Sequence, residues 1–391
     1  MSQNEWRLLV VDDNEDNRYT LVQRLKRLGY VNVETATNGR EALAAMAARR
    51  FDLVLLDVMM PELNGYEVLE RVRADQRLRH VPVIMISAVD EIESVIRCVE
   101  LGAEDYLPKP FNPTLLRARV GASLEKKRLR DELVRHTRRM EQELETAREI
   151  QLSMVPTEFA APTVERPLEI FATLQPAREV GGDLYDFFWV NPERLCLVVA
   201  DVSDKGAGAA LFMARAKSVI RLLAPLLPGQ SGRPPTAAEV VDRANQELCR
   251  DNPHGLFVTL VLATLNATTG EVEYCNAGHN LPCVIAPEAG VTQLNSARGK
   301  PVGIRESFRY ESATLKLARG ESLFVFTDGI TEAMNESGEL FGEERLLASL
   351  RSSAAKTPRD LVSTVLRDVR EFSGTAAPSD DIAALACRWR A

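Results

Sequence analysis

Short apolar runs alternate with amphipathic stretches through the first 121 residues. Arg7–Val11, Val33–Ala36, Phe51–Asp57, Val81–Ser87 and Asp105–Leu107 read as strands. Between them Asn17–Leu28, Gly39–Arg49, Tyr66–Arg73 and Glu91–Leu101 carry helical spacing, and a final helix begins near Asn112. Strict strand–helix alternation predicts a doubly wound α/β domain, a five-stranded parallel sheet covered on both faces.

The texture changes over residues 122–155. "LEKKRLRDELVRHTRRMEQELETAREIQLSM" is dense in charge, has neither Gly nor Pro, and consists mostly of good helix formers. Leu133, Met140, Leu144, Ala147 and Met154 approximate a heptad seam, which Thr137 and Gln151 interrupt. The stretch fits a dimerising coiled coil or a solvated connecting helix. Pro156 stops it.

Residues 156–391 carry a third pattern. Leu168–Leu174, Leu195–Asp201, Phe257–Asn266, Glu271–Cys275, Cys283–Ala286, Ser312–Leu317, Leu323–Thr327 and Ile382–Arg388 read as strands, with "NATTGEVEY" a hairpin turn. Ala207–Leu223, Ala237–Asp251, Glu343–Ser352 and Pro358–Phe372 read as helices, and the Pro/Gly-rich segment 225–236 as a loop. Successive strands with no helix between them pair antiparallel, so this part is an α+β domain.

Composition narrows the function. The chain has 391 residues, 45% hydrophobic and 27% charged, with a formal net charge of −8. That acidity argues against a nucleic-acid partner, whose footprint is a basic face. No apolar run approaches the roughly 20 residues of a membrane helix. The first residues lack a signal peptide's basic start and long apolar region, so the cytoplasm is the expected compartment. Six cysteines form no CxxC pair and sit mostly in apolar runs, which leaves no zinc signature.

In a doubly wound sheet, ligands sit outside the carboxyl ends of the strands. Those ends read "VVDDNEDN", "LLDVMMPELNGYE", "IMISAV" and "DYLPKPF", so Asp12, Asp13, Asp57, Ser87 and Lys109 converge on one edge. Three carboxylates brought together repel unless a cation sits between them, and hard oxygen ligands suit Mg2+. Asp57 ends the central strand and is the expected phosphoryl acceptor. Lys109 pairs with an incoming phosphate, and the Ser87 hydroxyl donates to it. Residues 1–121, including "PELNGYE" and "LPKPF", resemble the response-regulator receiver domain. The resemblance implies that Asp12, Asp13, Asp57 and the Met59 carbonyl bind Mg2+. It also implies that Asp57 takes phosphate from a histidine kinase or phosphotransfer protein, that Ser87 and Tyr106 form the switch, and that Lys109 contacts the phosphoryl group.

The C-terminal part has its own strand-end acids. They are Asp183 in "PAREVGGDLYDFF", Asp201 in "LVVADVSDKGAGAALFMARA", Asp328 in "FTDGITEA", and Asp380 and Asp381 in "PSDDIAALAC". Asp328 taken alone equally suits a helix N-cap. Carboxylates gathered from four strand ends with no Lys or Arg partner call instead for divalent metal, and the absence of a Cys/His cluster favours Mg2+ or Mn2+. Two such ions lower the pKa of an attacking water and neutralise phosphate-ester oxygens, so no side-chain nucleophile is needed. None is apparent: there is no GxSxG, Walker lysine or kinase-like glycine loop.

"AREIQLSMVP", "EVGGDLYDFF", "ADVSDKGAGAALFMA", "NAGHNLP", "GKPVGI", "FTDGITEAMNESGELFG" and "SDDIAALACR" together resemble the PPM (protein phosphatase 2C-like) phosphatases of the SpoIIE-type branch, over roughly residues 147–391. The resemblance implies an antiparallel β-sandwich flanked by helices, with Phe324 and Phe326 as anchors in its core and Gly329 as clearance beside a cation. It also implies that Asp183 and Asp201 bridge the metals, with Val202 contributing its carbonyl. Asp328 and Asp380 complete a set of two or more Mn2+ or Mg2+ ions, and Asp381 orients its neighbour. Ala383 stands where the family often has Thr. His279 is expected to shape a turn, while Arg178 and Lys205 either steer phosphate or are solvated surface charges. The implied function is a two-component response regulator controlling a serine/threonine phosphatase. Its implied substrate is a phosphorylated STAS-type anti-sigma antagonist, and the chain is expected to form a homodimer through the linker. The alternative is a catalytically inactive adaptor that binds a sigma factor or sigma regulator.

Overall fold

The computed structural model describes residues 5–87, 92–159, 163, 167–177, 180–227, 229, 233–288 and 290–390. Arg178 lies outside them. The chain divides into two compact units, Met1–Met140 and Glu141–Ala391.

In the first unit β1 (Arg7–Val11), α1 (Glu15–Arg27), β2 (Asn32–Ala36), α2 (Gly39–Ala48), β3 (Leu53–Asp57), α3 (Gly65–Ala74), β4 (Val83–Ser87), α4 (Ile92–Glu100) and β5 (Asp105–Pro108) follow in order, and α5 (Pro113–Met154) begins there and ends in the second. The sheet runs β2-β1-β3-β4-β5, and every pair is parallel. Alternation within the strands explains why they are apolar throughout. Leu9, Val11, Val54 and Leu56 pack with Ala42, Met46, Val68 and Leu69, while Leu8, Val10, Leu53 and Leu55 pack with Leu21, Leu25, Leu116 and Val120. Asn14, Asn38 and Asn64 cap α1, α2 and α3, each accepting a backbone N–H, and Glu67 closes a capping box at Asn64.

The helix expected to start near Asn112 and the charged stretch after it form one element. α5 runs unbroken for 42 residues through Gly121. A mid-helix glycine costs about 1 kcal/mol relative to alanine, and the buried Val120 and Leu124 on either side of it hold the helix together.

The second unit adds β6 (Leu168–Gln175), β7 (Leu184–Trp189), β8 (Arg194–Val202), α6 (Ala207–Leu226), α7 (Ala237–Cys249), β9 (Val258–Asn266), β10 (Glu271–Ala277), β11 (Cys283–Ala286), β12 (Gly290–Gln293), β13 (Ala313–Lys316), β14 (Ser322–Phe326), α8 (Gly342–Ser352), α9 (Pro358–Ser373) and β15 (Ile382–Trp389). Two five-stranded antiparallel sheets form, ordered β13-β10-β9-β8-β7 and β12-β11-β14-β15-β6. Leu195, Leu197, Val261, Ala263, Leu323, Val325, Leu385 and Cys387 fill the space between them. The outer face of the first sheet carries α6 and α7, and that of the second carries α8 and α9.

Three sequence expectations change here. Phe324 and Phe326, expected in the sandwich core, pack on the α8/α9 side, because their neighbours Leu323 and Val325 take the inter-sheet face. β7 and β12 escaped the reading of strands. Both are edge strands, and β7 carries a charge at its centre, Asp186, which is buried and ion-paired with Lys217 at 2.8 Å and Arg221 at 3.1 Å. The loop expected from 225 begins later, since Pro225 and Leu226 finish α6.

Candidate active sites

The first cluster lies at the carboxyl edge of the parallel sheet. Asp12 follows β1, Asp57 ends β3, Ser87 ends β4, and all three are buried. The Asp12 carboxylate accepts from the Asn14 N–H (2.9 Å) and the Asn17 side-chain amide (3.1 Å), which orients it. Lys109, just past β5, places Nζ 2.8 Å from Asp12 and 3.0 Å from Asp57. Burial raises Asp57 to about 6; the Lys109 hydrogen bond opposes this, and the Asp12 charge adds to it. Burial alone would lower Lys109, but its hydrogen bonds to Asp12 and Asp57 prevail and raise it. Ligand oxygens of Asp12, Asp13 and Asp57 all lie within 4.8 Å of one another. Three convergent carboxylates suit a hard divalent cation. Tyr106 is half-buried on β5, and the Met59 side chain is exposed.

The second cluster draws on four segments. Asp183 precedes β7, Asp201 lies near the end of β8, Asp328 follows β14, and Asp380 and Asp381 precede β15. Asp183 is almost wholly buried, and burial followed by the charge of Asp201 pushes its carboxyl well above the ordinary range. Burial and then the Asp328 charge raise Asp201 to about 7, offset by a hydrogen bond with the Asp183 side chain. Burial, Glu332 and Asp380 raise Asp328 to about 6. These acids crowd one another's charge, and protons relieve the crowding. A divalent cation relieves it equally, and the all-oxygen donor set fits one. Among the described residues, Asp12, Asp13 and Asp57 are the group of three with ligand atoms mutually within 4.8 Å, and no three of the C-terminal acids meet that spacing.

Asp380 is not free of cations, as its sequence neighbours suggested. The tight turn after β8, where Asp204 and Gly206 both take positive φ, carries Lys205 across the gap. Lys205 Nζ lies 2.8 Å from Asp380 Oδ2 and donates to the Ser379 carbonyl at 3.0 Å. Asp381 points elsewhere, accepting the N–H of Ala177 (2.8 Å) and of Gly182 (2.9 Å), so it holds the loop that leads to Asp183.

The glycines record close approach. A Cβ on Gly181 would lie 1.8 Å from the Asp381 carboxylate, and one on Gly182 would lie 2.8 Å from the Val202 carbonyl. Gly329, expected to clear a cation, instead clears backbone: a Cβ there would lie 1.9 Å from the Asp381 carbonyl oxygen. The helix-cap reading of Asp328 also fails. Turns follow it, and the next helix starts only at Gly342.

Two residues escaped the sequence reading. Buried Thr327 donates to Asp183 Oδ2 at 2.6 Å and accepts the Ala383 N–H at 2.8 Å. Gln151 interrupts the heptad seam because it is buried against Gly181. Its signal was there to find, as a polar residue at a position that should be apolar. His279 is buried, with Nδ1 2.8 Å from Thr259 Oγ1. The Asn276 side chain accepts its N–H at 2.7 Å and donates to its carbonyl at 3.1 Å, which pins the "NAGH" turn.

Residues 191–390 match the family of stage II sporulation protein E (SpoIIE). The chain belongs to the SpoIIE family. Its N-terminal unit is a response-regulator receiver domain, matched over residues 8–121. Among curated proteins, IcfG of Synechocystis sp. is 29% identical over 267 residues, 62% of this chain and 41% of that protein. The probable transcriptional regulator ycf27 of Cyanidium caldarium is 44% identical over 117 residues, 30% of this chain and 45% of that one. The chain thus spans less than half the length of these two relatives. Among solved structures, the SiaA-PP2C domain of Pseudomonas aeruginosa superposes with a TM-score of 0.57 at 20% identity, covering 65% of this chain and 98% of that domain. The second unit therefore shares the PP2C fold. No helix among the described residues is long and apolar enough to cross a membrane.

Proposed function

We propose that this SpoIIE-family chain is a response regulator in which phosphorylation of Asp57 by a histidine kinase or phosphotransfer protein controls a metal-dependent serine/threonine phosphatase. The observation that carries the reading is the mutual crowding of Asp183, Asp201 and Asp328, each raised by burial and by a neighbouring acid. In it, Asp183, Asp201, Asp328, Asp380 and the Val202 carbonyl hold Mn2+ or Mg2+, and Asp12, Asp13, Asp57 and the Met59 carbonyl hold Mg2+. Divalent cations supply Lewis-acid stabilisation of phosphoryl oxygens and lower the pKa of the attacking water. The chain's own part is positional. Thr327 fixes the Asp183 carboxylate, Asp381 fixes the loop before it, and Lys205 holds Asp380. The substrate class is a phosphorylated STAS-type anti-sigma antagonist. α5 supports a homodimer, since the seam residues Leu133 and Met140 are 67% and 63% exposed.

The test is hydrolysis of a chromogenic phosphate ester and of phospho-STAS proteins with Mn2+, with and without beryllofluoride, beside Asp57→Ala. Beryllofluoride should raise the wild-type rate and leave Asp57→Ala unaffected. No hydrolysis in either state sinks the catalytic claim. The second reading, an inactive adaptor, draws on the Lys205–Asp380 ion pair. Calorimetric titration of Mn2+ into the protein separates the two, because an adaptor of this kind binds none at the second cluster.

A further inference from the structure

The last turn of α5 is clasped to the loop that carries Asp183. Gln151 is 4% exposed, and its side-chain amide makes two reciprocal bonds with the backbone of one residue. Nε2 donates to the Gly181 carbonyl at 2.6 Å, and Oε1 accepts the Gly181 N–H at 3.1 Å. Four residues later Val155 enters the inter-sheet core, and the next carbonyl, that of Pro156, accepts the Tyr185 hydroxyl at 2.8 Å. The segment Gly181–Tyr185 is therefore tied to the helix end on both sides of Asp183. Its middle is tied to Asp381, which takes the Gly182 N–H. No slack remains, because Gly181 has no room even for a Cβ beside Asp381.

An ordinary helix end would leave such a position to an apolar residue. A buried amide is tolerated only when its polar atoms are satisfied, and here the backbone of a single glycine satisfies both ends of it. We propose that Gln151 is a positioning residue: it sets the place of Asp183 from the end of α5, so that displacement of this helix moves the acid cluster. The inference rests on the phosphatase reading above and adds to it the point at which the long helix grips the site. Misplacing a reacting group by about 1 Å can cost a hundredfold in rate, and outer partners of metal-site groups are typically worth about 10–100-fold. A helix held by two hydrogen bonds at the cluster's edge is a sufficient lever for changes of that size.

The experiment uses the full chain as wild type, Gln151→Met and Gln151→Glu. Met keeps the length and removes both bonds. Glu keeps an acceptor for the Gly181 N–H but sets a carboxylate against its carbonyl. Hydrogen–deuterium exchange is followed by mass spectrometry over Ala177–Tyr185. In Gln151→Met, exchange at Gly181 and Gly182 should quicken at least tenfold while β8 and β15 stay protected. Turnover of a chromogenic phosphate ester with Mn2+ should fall at least tenfold in kcat with KM unchanged, and Gln151→Glu should restore neither. The proposal is overturned if folded Gln151→Met exchanges like wild type over this segment, or if exchange quickens and kcat does not change. An inactive wild type would sink the phosphatase reading instead, and the exchange comparison would still decide whether the clasp holds the Asp183 loop.

Discussion

Thr327→Val keeps the branched shape of the side chain and removes one hydroxyl. That hydroxyl is buried, donates to Asp183 Oδ2 at 2.6 Å, and accepts the Ala383 N–H at 2.8 Å. A hydrogen bond to a charged group contributes about 1.5–3 kcal/mol. Losing it should raise the already elevated Asp183 carboxyl further. A divalent cation must then displace a more tightly held proton, so affinity for Mn2+ should weaken about 10–100-fold near neutral pH. The deficit should shrink as pH rises and the carboxyl ionises unaided. The stranded Ala383 N–H costs about 1–3 kcal/mol of stability, a loss of some degrees in melting temperature for a unit of this size. Calorimetric titration of Mn2+ at three pH values, with thermal unfolding in parallel, measures both effects. Thr327→Ser should behave like wild type. The reasoning fails if folded Thr327→Val binds Mn2+ with wild-type affinity at every pH, or if Ser is as weak as Val.

Asp328→Asn should keep the fold, weaken Mn2+ binding and abolish turnover; full activity in that variant would remove Asp328 from the site. Lys217→Met leaves the buried Asp186 with Arg221 as its remaining cation, beside the Phe187 N–H. Breaking a buried pair on one side typically costs about 3–5 kcal/mol, so chemical denaturation should show a loss near the lower figure, and Asp186→Leu combined with Lys217→Met should recover most of it. Burial holds His279 down to about 4 from an ordinary 6.5. The unfolded chain therefore binds that proton first as pH falls, and the contribution is present above about 6.5 and lost on descending towards 4. The difference amounts to about 3 kcal/mol. Wild type should lose stability more steeply than His279→Asn across that window, and parallel pH profiles would refute the assignment.

Much of the architecture was legible because period and punctuation carry it. Strand–helix alternation predicted the parallel sheet, and asparagines sit at the helix starts they cap. β7 was missed because Asp186 breaks an otherwise apolar run, and only the cations of α6 make that charge acceptable inside. The boundary between residues 121 and 122 falls inside one helix, because contacts of Val120 and Leu124 carry α5 through Gly121.

Which carboxylates stand at strand ends can be read along the chain, because apolar runs ending in Asp and Gly are local features that any folded arrangement must honour. Which partners those carboxylates meet was decided by the tertiary structure alone. Lys205 reaches Asp380 across 175 residues of chain, Thr327 reaches Asp183 across 144, and Asp381 serves the backbone before Asp183. Hydrogen bonds and burial act through space, and spacing along the chain holds no record of them. Gln151 shows the boundary between the two: its polarity stood out in the sequence as a flaw in a heptad, and only its contact with Gly181 turned the flaw into a function.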